Sequence, residues 1–167
     1  AKRAWNREEK GGPAMSHDKV RFGIVGFGAW GNCHAEAIAV TEGAEVRAIA
    51  ARSDSTCESA RQKYPSAVVT SDYREMLRDE DVDVIDVVVP SHLHREVAVA
   101  ALEAGKHVLL EKPMAITLED CNAIIAAAKA NDRLLSVGHE LRLSSMWKKV
   151  KELIEEGVIG DPQYCLV

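Results

Sequence analysis

The stretch Val20-Arg21-Phe22-Gly23-Ile24-Val25-Gly26-Phe27-Gly28-Ala29-Trp30-Gly31 decides how the rest of the chain is read. Its first half is a short apolar run closed by glycine, the mark of a buried strand. Its second half spells Gly-x-Gly-x-x-Gly, directly after that strand and opening a helical stretch over 30–42. In such a turn the first glycine permits the tight bend. The second lets the backbone approach a pyrophosphate, and the third lets helix and strand pack closely. The N-terminus of the helix then offers unpaired N–H groups to an anion. We therefore read Gly26, Phe27, Gly28, Ala29, Trp30 and Gly31 as a dinucleotide-binding turn.

Outward from this turn the pattern alternates strand and helix. The residues predict strands over 45–50, 84–89, 107–111 and 134–138. They predict helices over 55–63, 73–77, 93–104, 117–131 and 145–156, with a new strand beginning at 163–167. Ala35, Ile38 and Ala39 should face the core from the first helix. Leu118, Cys121, Ile124, Ile125 and Ala128 should do so from the fifth, and Met146, Trp147, Val150, Leu153 and Ile154 from the last. Asp86, inside an otherwise apolar strand, is expected at a sheet end or beside a hydrogen-bonding partner. Apolar strands alternating with helices imply a doubly wound α/β fold, a parallel sheet covered on both faces. Such sheets hold ligands beyond the carboxyl ends of their strands.

Composition agrees with a globular chain. Its 167 residues can bury roughly 70% of the unfolded surface. With 47% hydrophobic and 28% charged residues, disorder and fibrous structure are excluded. No apolar run approaches the ~20 residues of a membrane helix. Acidic residues outnumber basic ones 26 to 21, a net charge of -5, which disfavours nucleic acid as a partner. Cys33, Cys57, Cys121 and Cys165 are widely spaced, without a Cys-x-x-Cys pair, so free thiols in a reducing cytoplasm are expected. Residues 1–16 are polar and lack a hydrophobic period, and read as a disordered arm, a tag or an upstream extension.

Three further places follow strands. After the second strand comes Ala51-Arg52-Ser53, where an NAD site would carry Asp or Glu for the ribose hydroxyls. Arg52 and Ser53 suit a 2′-phosphate instead, so NADP is favoured over NAD, with Asp54 left as an NAD alternative. After the strand over 84–89 comes Pro90-Ser91-His92-Leu93-His94, with Ser91 placed to cap the next helix and the turn placed to line the cofactor cleft. His92 and His94 are two apart and share no helical face, so no metal site is expected. After the strand over 107–111 comes Glu111-Lys112-Pro113. Lys112 should project into the cleft and hydrogen-bond a substrate hydroxyl, with Glu111 steadying its ammonium.

At these residues the chain resembles the Gfo/Idh/MocA family, the glucose–fructose oxidoreductases, inositol dehydrogenases and their relatives. The resemblance rests on Gly26–Gly31, the Pro90 turn ending in His94, Gly105-Lys106-His107-Val108, Glu111-Lys112-Pro113, Val137-Gly138-His139-Glu140-Leu141-Arg142 and Gly157-Val158-Ile159-Gly160-Asp161-Pro162. It implies a Rossmann domain over 17–144 that binds NADP or NAD, and hydride transfer to or from a sugar or cyclitol. It implies a catalytic role for Lys112. Gly26 to Gly31, Arg52, Ser53, Pro90, Ser91, His94, Glu111, Lys112 and Arg142 would form the cofactor side. His139 departs from the commoner Phe or Tyr and would either meet the nicotinamide side or simply pack. Residues 145–167 would be a linker helix and the first strand of a second α/β domain. The resemblance implies that this domain supplies the substrate contacts, the usual catalytic histidine and the surface for a homo-oligomer. None of the six histidines here occupies that motif, so the chain reads as truncated at the start of the second domain. The competing reading is a dinucleotide-binding or redox-sensing module without catalysis, which has no need of Lys112.

Overall fold

A computed structural model of the chain describes residues 18–164. The arm expected over 1–16, the end of the strand expected over 163–167, and Cys165 with it lie outside the described residues. Gln163 and Tyr164 belong to neither strand nor helix.

The described residues form β1 (Val20–Val25), α1 (Ala29–Val40), β2 (Ala44–Ala50), α2 (Asp54–Lys63), β3 (Val68–Thr70), α3 (Tyr73–Arg78) and β4 (Val84–Val87). Then come α4 (His94–Glu103), β5 (His107–Glu111), α5 (Leu118–Ala130), β6 (Leu135–Gly138) and α6 (Ser145–Glu155). Short 3-10 turns precede α4 at Ser91–Leu93 and α6 at Glu140–Leu143. The strands make one sheet in the order β3-β2-β1-β4-β5-β6. Every neighbouring pair is parallel.

Alternation along β1 explains the two covering layers. Ile24 packs with Ala35, Ile38, Ile49 and Ala60 beneath α1 and α2. Val25 belongs with Ile85, Val87, Val97, Leu102, Leu110 and Ile124 on the side of α4 and α5. Ile24, Ile49, Ile85, Leu102, Leu110 and Ile124 have no exposed surface. Each such side chain contributes roughly 1.5–3 kcal/mol by leaving water.

The amino-terminal end of the sheet is closed by charge pairs. Arg21 is buried, and its guanidinium donates to both Asp83 oxygens, to Asp81 and to the Glu80 carbonyl. The Lys106 ammonium donates to the Asp79 and Val82 carbonyls. Chemistry is left to the opposite end, where the turns after the strands gather.

Several expectations change. The strand β3 spans only three residues, too short for a periodic signal. The last turn of α1 carries Ala39 and Val40 into solvent, and Gly31 joins Ala35 and Ile38 as its buried residues. Ser91 does not cap α4, because the 3-10 turn intervenes and α4 starts at His94 without a side-chain cap. Leu118 is exposed at the start of α5, and no residue of α6 is buried. Asp86 is not at a sheet end; it lies within β4, opposite Ile24 and Leu109, and has a partner.

The junction of β1 and α1 admits one test. A Cβ on Gly31 would lie 1.9 Å from the Gly26 carbonyl oxygen, a backbone atom that cannot swing away. Gly31→Ala should cost about 4 kcal/mol or more, placing it among the severe class of core substitutions. Thermal unfolding followed by circular dichroism checks this; a near-wild-type midpoint would contradict the packing described.

Candidate functional site

The three glycines of the turn are not equivalent. Gly26 has φ +101°, and a Cβ there would meet the Val88 carbonyl at 2.2 Å. Its N–H donates to the Ala50 carbonyl at 2.9 Å, which fastens the turn to β2. Gly31 lies against Gly26, as above. Gly28 is different: a Cβ there would meet nothing within 4 Å. It is exposed and forms the N-cap of α1, with no side chain satisfying the first-turn N–H groups. An anion could supply the acceptor that no side chain provides there. Phe27 turns its ring inward and packs edge-on against Tyr64, so only its backbone belongs to the site. Ala29 and Trp30 are exposed.

A cleft of about 200 Å³ leads from Gly26 along the end of β2, lined by Ala51, Arg52, Tyr73, Val89 and Leu93 among others. Arg52 is exposed at its edge. Ser53 is the N-cap of α2, where its hydroxyl accepts the Thr56 N–H at 3.2 Å and pairs with the Thr56 hydroxyl. Asp54 is the first residue of that helix, where the helix dipole favours a carboxylate. Pro90 is exposed and Ser91 half-buried in the turn beyond β4.

His94 is buried, with 1% of its surface exposed. Its ring lies 2.8 Å (Nδ1) from the Pro113 carbonyl oxygen and 2.9 Å (Nε2) from that of Val89. It therefore ties the turn after β4 to the turn after β5, one layer behind the cleft. Lys112 is exposed at the tip of β5. Glu111 does not hold the Lys112 ammonium. Its buried carboxylate accepts the Lys112 backbone N–H on Oε2 at 3.0 Å, and its Oε1 lies 3.3 Å from Nε2 of His34. The other nitrogen of His34, Nδ1, is 2.9 Å from Oδ2 of Asp86.

Asp86, His34 and Glu111 line a second, larger cleft of about 870 Å³ with Trp30, Gly138, His139 and Arg142. This cleft lies between α1 and β6, on the sheet face that α1 and α2 cover farther along. Asp86 has no exposed surface, and among the described residues its Oδ1 finds no hydrogen-bond partner. Burial pushes its carboxyl above the ordinary range, against the pull of His34. The hydrogen bond to Asp86 raises His34, with burial opposing. The cluster thus retains a proton that an isolated histidine would release.

These features match a described family. The family model for oxidoreductases with an NAD-binding Rossmann fold, Gfo/Idh/MocA, fits residues 20–139. The chain belongs to this family. It is 38% identical over 148 residues to the Escherichia coli oxidoreductase YdgJ, covering 88% of this chain and 42% of that one. It is 36% identical over 146 residues to inositol 2-dehydrogenase of Salmonella typhimurium, covering 86% and 44%. The crystal structure of an NAD-binding protein from Listeria innocua superimposes with a TM-score of 0.80 at 34% identity, over 85% of this chain and 42% of that one. The chain spans less than half the length of these relatives.

Within the Gfo/Idh/MocA frame, Gly26–Gly31, Arg52, Pro90, Ser91 and Lys112 all lie at the carboxyl edge of the sheet. Arg142 and His139 are exposed beside the larger cleft. The sequence gives His34 no role and Asp86 only the need of a partner. The signal was present: a carboxylate inside a buried strand demands a donor, and α1 carries one histidine on the side of the sheet.

The cluster makes stability depend on pH. Both His34 and Asp86 bind their protons more tightly in the folded chain, so stability falls as pH rises. The His34 contribution is complete below about 6.5 and is lost as pH climbs through its raised folded value. His107, lowered by burial, acts in the opposite sense, but its window closes by about 6.5. The unfolding midpoint should therefore decline from pH 6.5 upward in the wild-type chain. In His34→Gln the His34 part of that slope should be lost and the decline should become shallower. An equal slope in both would place the titrating group elsewhere.

Proposed function

We propose that this chain is the dinucleotide-holding part of an oxidoreductase that moves a hydride between a nicotinamide ring and a sugar or cyclitol carbon. The observation that carries the reading is the contrast among the glycines: Gly26 and Gly31 are hemmed in by backbone, whereas the space over Gly28 is empty. Packing explains the first and third. The open space over the second is where a ligand could approach the backbone.

In this reading the uncapped N–H groups at the start of α1 take the pyrophosphate. Arg52 faces the adenosine ribose. Ser53 is committed to capping α2, so Arg52 is the group left to meet a 2′-phosphate, which favours NADP; Asp54 remains the NAD alternative. Pro90 and Ser91 lie in the turn between Val89 and Leu93, two residues that line that cleft. Arg142 and the Glu111–Lys112 turn stand on the nicotinamide side. The bound nicotinamide supplies the hydride acceptor or donor. Lys112 donates a hydrogen bond to the substrate oxygen, which favours the alkoxide as the hydride leaves carbon. The inositol dehydrogenase relative supports a cyclitol or sugar as substrate. We assign 145–167 to the passage into a second domain that completes the substrate site and joins copies of the enzyme. The thiols of Cys33, Cys57 and Cys121, all unpaired, are consistent with a reducing cytoplasm.

Fluorescence titration of the purified chain with NADPH and, separately, NADH tests the cofactor reading. NADPH should bind more tightly, by roughly tenfold or more for a charge-assisted contact. Arg52→Ala should erase that preference. Gly28→Ala should stay folded, at a cost of about 1 kcal/mol or less for an exposed cap, yet weaken both ligands. A folded sample that binds neither dinucleotide would overturn the proposal. In the complete enzyme, Lys112→Ala should lower kcat roughly 10²–10³-fold, the usual effect of removing one oxyanion donor. Unchanged turnover would remove Lys112 from the chemistry.

A further inference from the structure

We infer that His34 is a positioning residue for Lys112: by bridging Asp86 and Glu111 it holds the Glu111 carboxylate where its second oxygen receives the Lys112 backbone N–H. The inference rests on the role proposed for Lys112 and adds the device that aims it.

The chain of contacts is continuous. It runs from Asp86 Oδ2 to His34 Nδ1 at 2.9 Å, from His34 Nε2 to Glu111 Oε1 at 3.3 Å, and from Glu111 Oε2 to the Lys112 N–H at 3.0 Å. Three elements are joined: α1 one turn past the glycines, the middle of β4, and the tip of β5. With Asp86 and Glu111 both ionised, both ring nitrogens of His34 face oxygens that only accept. A neutral imidazole donates through one nitrogen, so both contacts are complete only in the imidazolium. When that proton leaves, the shorter Nδ1 contact keeps the hydrogen and Glu111 is released. The Glu111 carboxylate sits against Gly138, where a Cβ would stand 3.1 Å from its Oε1, so the lack of a side chain there leaves this pose its room.

The surroundings leave His34 as the link. The charged or titratable groups facing it are Cys33 on its own helix, Asp86 on β4 and Glu111 on β5, and His139, Glu140 and Arg142 along the far side of the cleft. Among the described charged groups only Asp86 and Glu111 bond the ring, and Trp30 packs against it with ring centroids 6.1 Å apart. Asp86 matters because it is buried and cannot turn to water. It fixes His34, and His34 in turn fixes Glu111. His94 grips the same turn from behind through the Pro113 carbonyl, and its two ring nitrogens bond carbonyls rather than the partners of His34.

The test follows two resonances of the 167-residue chain through a pH titration by nuclear magnetic resonance: the His34 ring carbons and the Lys112 backbone amide. The His34 midpoint should lie above that of an ordinary histidine, and the Lys112 amide should shift with the same midpoint. In His34→Gln the amide shift should be lost. Should that variant fail to fold, Glu111→Gln serves: it keeps the shape, and should lower the His34 midpoint and abolish the Lys112 shift. A Lys112 amide that is flat in the wild type, or that titrates unchanged in either variant, overturns the inference. Neither readout needs a dinucleotide. A chain that binds dinucleotide but shows a flat amide loses this inference alone. Coupled titration in a chain that binds none supports the bridge and counts against the functional proposal instead.

Discussion

Helix α1 reaches the sheet because nothing stands between Gly31 and the Gly26 carbonyl. That contact sets the height of the helix over β1, and with it the position of the first-turn N–H groups. It also lets Ala35 and Ile38 descend onto Ile24 and Ile49. A side chain at position 31 would lift the helix and open the core beneath it. The same contact delivers Gly28 to the outer lip of the turn with its face clear. Packing and ligand access are thus settled by one close approach between two backbone segments.

The second organising feature is electrostatic. Opposite ends of the sheet are treated differently. At the amino-terminal end, Arg21 and Lys106 are saturated by carboxylates and carbonyls. At the carboxyl end, Arg52 and Lys112 stay exposed. Between them runs the buried line from Asp86 through His34 to Glu111. A lone buried carboxylate would be costly; with an imidazolium shared between two of them, the cost is offset and the contact becomes directional. His34 and His94 hold the Glu111–Pro113 turn from two sides, one by a charged side chain and one by a carbonyl.

Much of this was legible in the sequence. Apolar runs marked five of the six strands, since parallel strands buried on both faces need little else. The glycine spacing located the turn, and the residues after each strand located the edge of the site. The Gfo/Idh/MocA resemblance was carried by ordered motifs, and the family match spans them. What was not legible depends on contacts between distant residues. Ser91 reads as a cap, but a 3-10 turn displaced the helix start to His94. Glu111 reads as a partner for the ammonium beside it, yet its carboxylate turns to the backbone and to His34, far off in sequence. Asp86 announced a need for a partner without naming one. The stripe on α6 reads as buried, but no residue of that helix is.

The order of the strands also sets a sequence of events at the ribosome. The strand β1 emerges first and lies at the centre of the sheet. Its pairing with β2 can form early. Its other edge has no partner until β4 appears, and Arg21 waits 62 positions for Asp83. At synthesis rates of about 5–20 residues per second, that interval is on the order of several seconds. For that time a central strand of the finished protein is an open edge in the nascent one, and β1, the first of the described strands to emerge, gains its second neighbour only after β2 has gained both of its own.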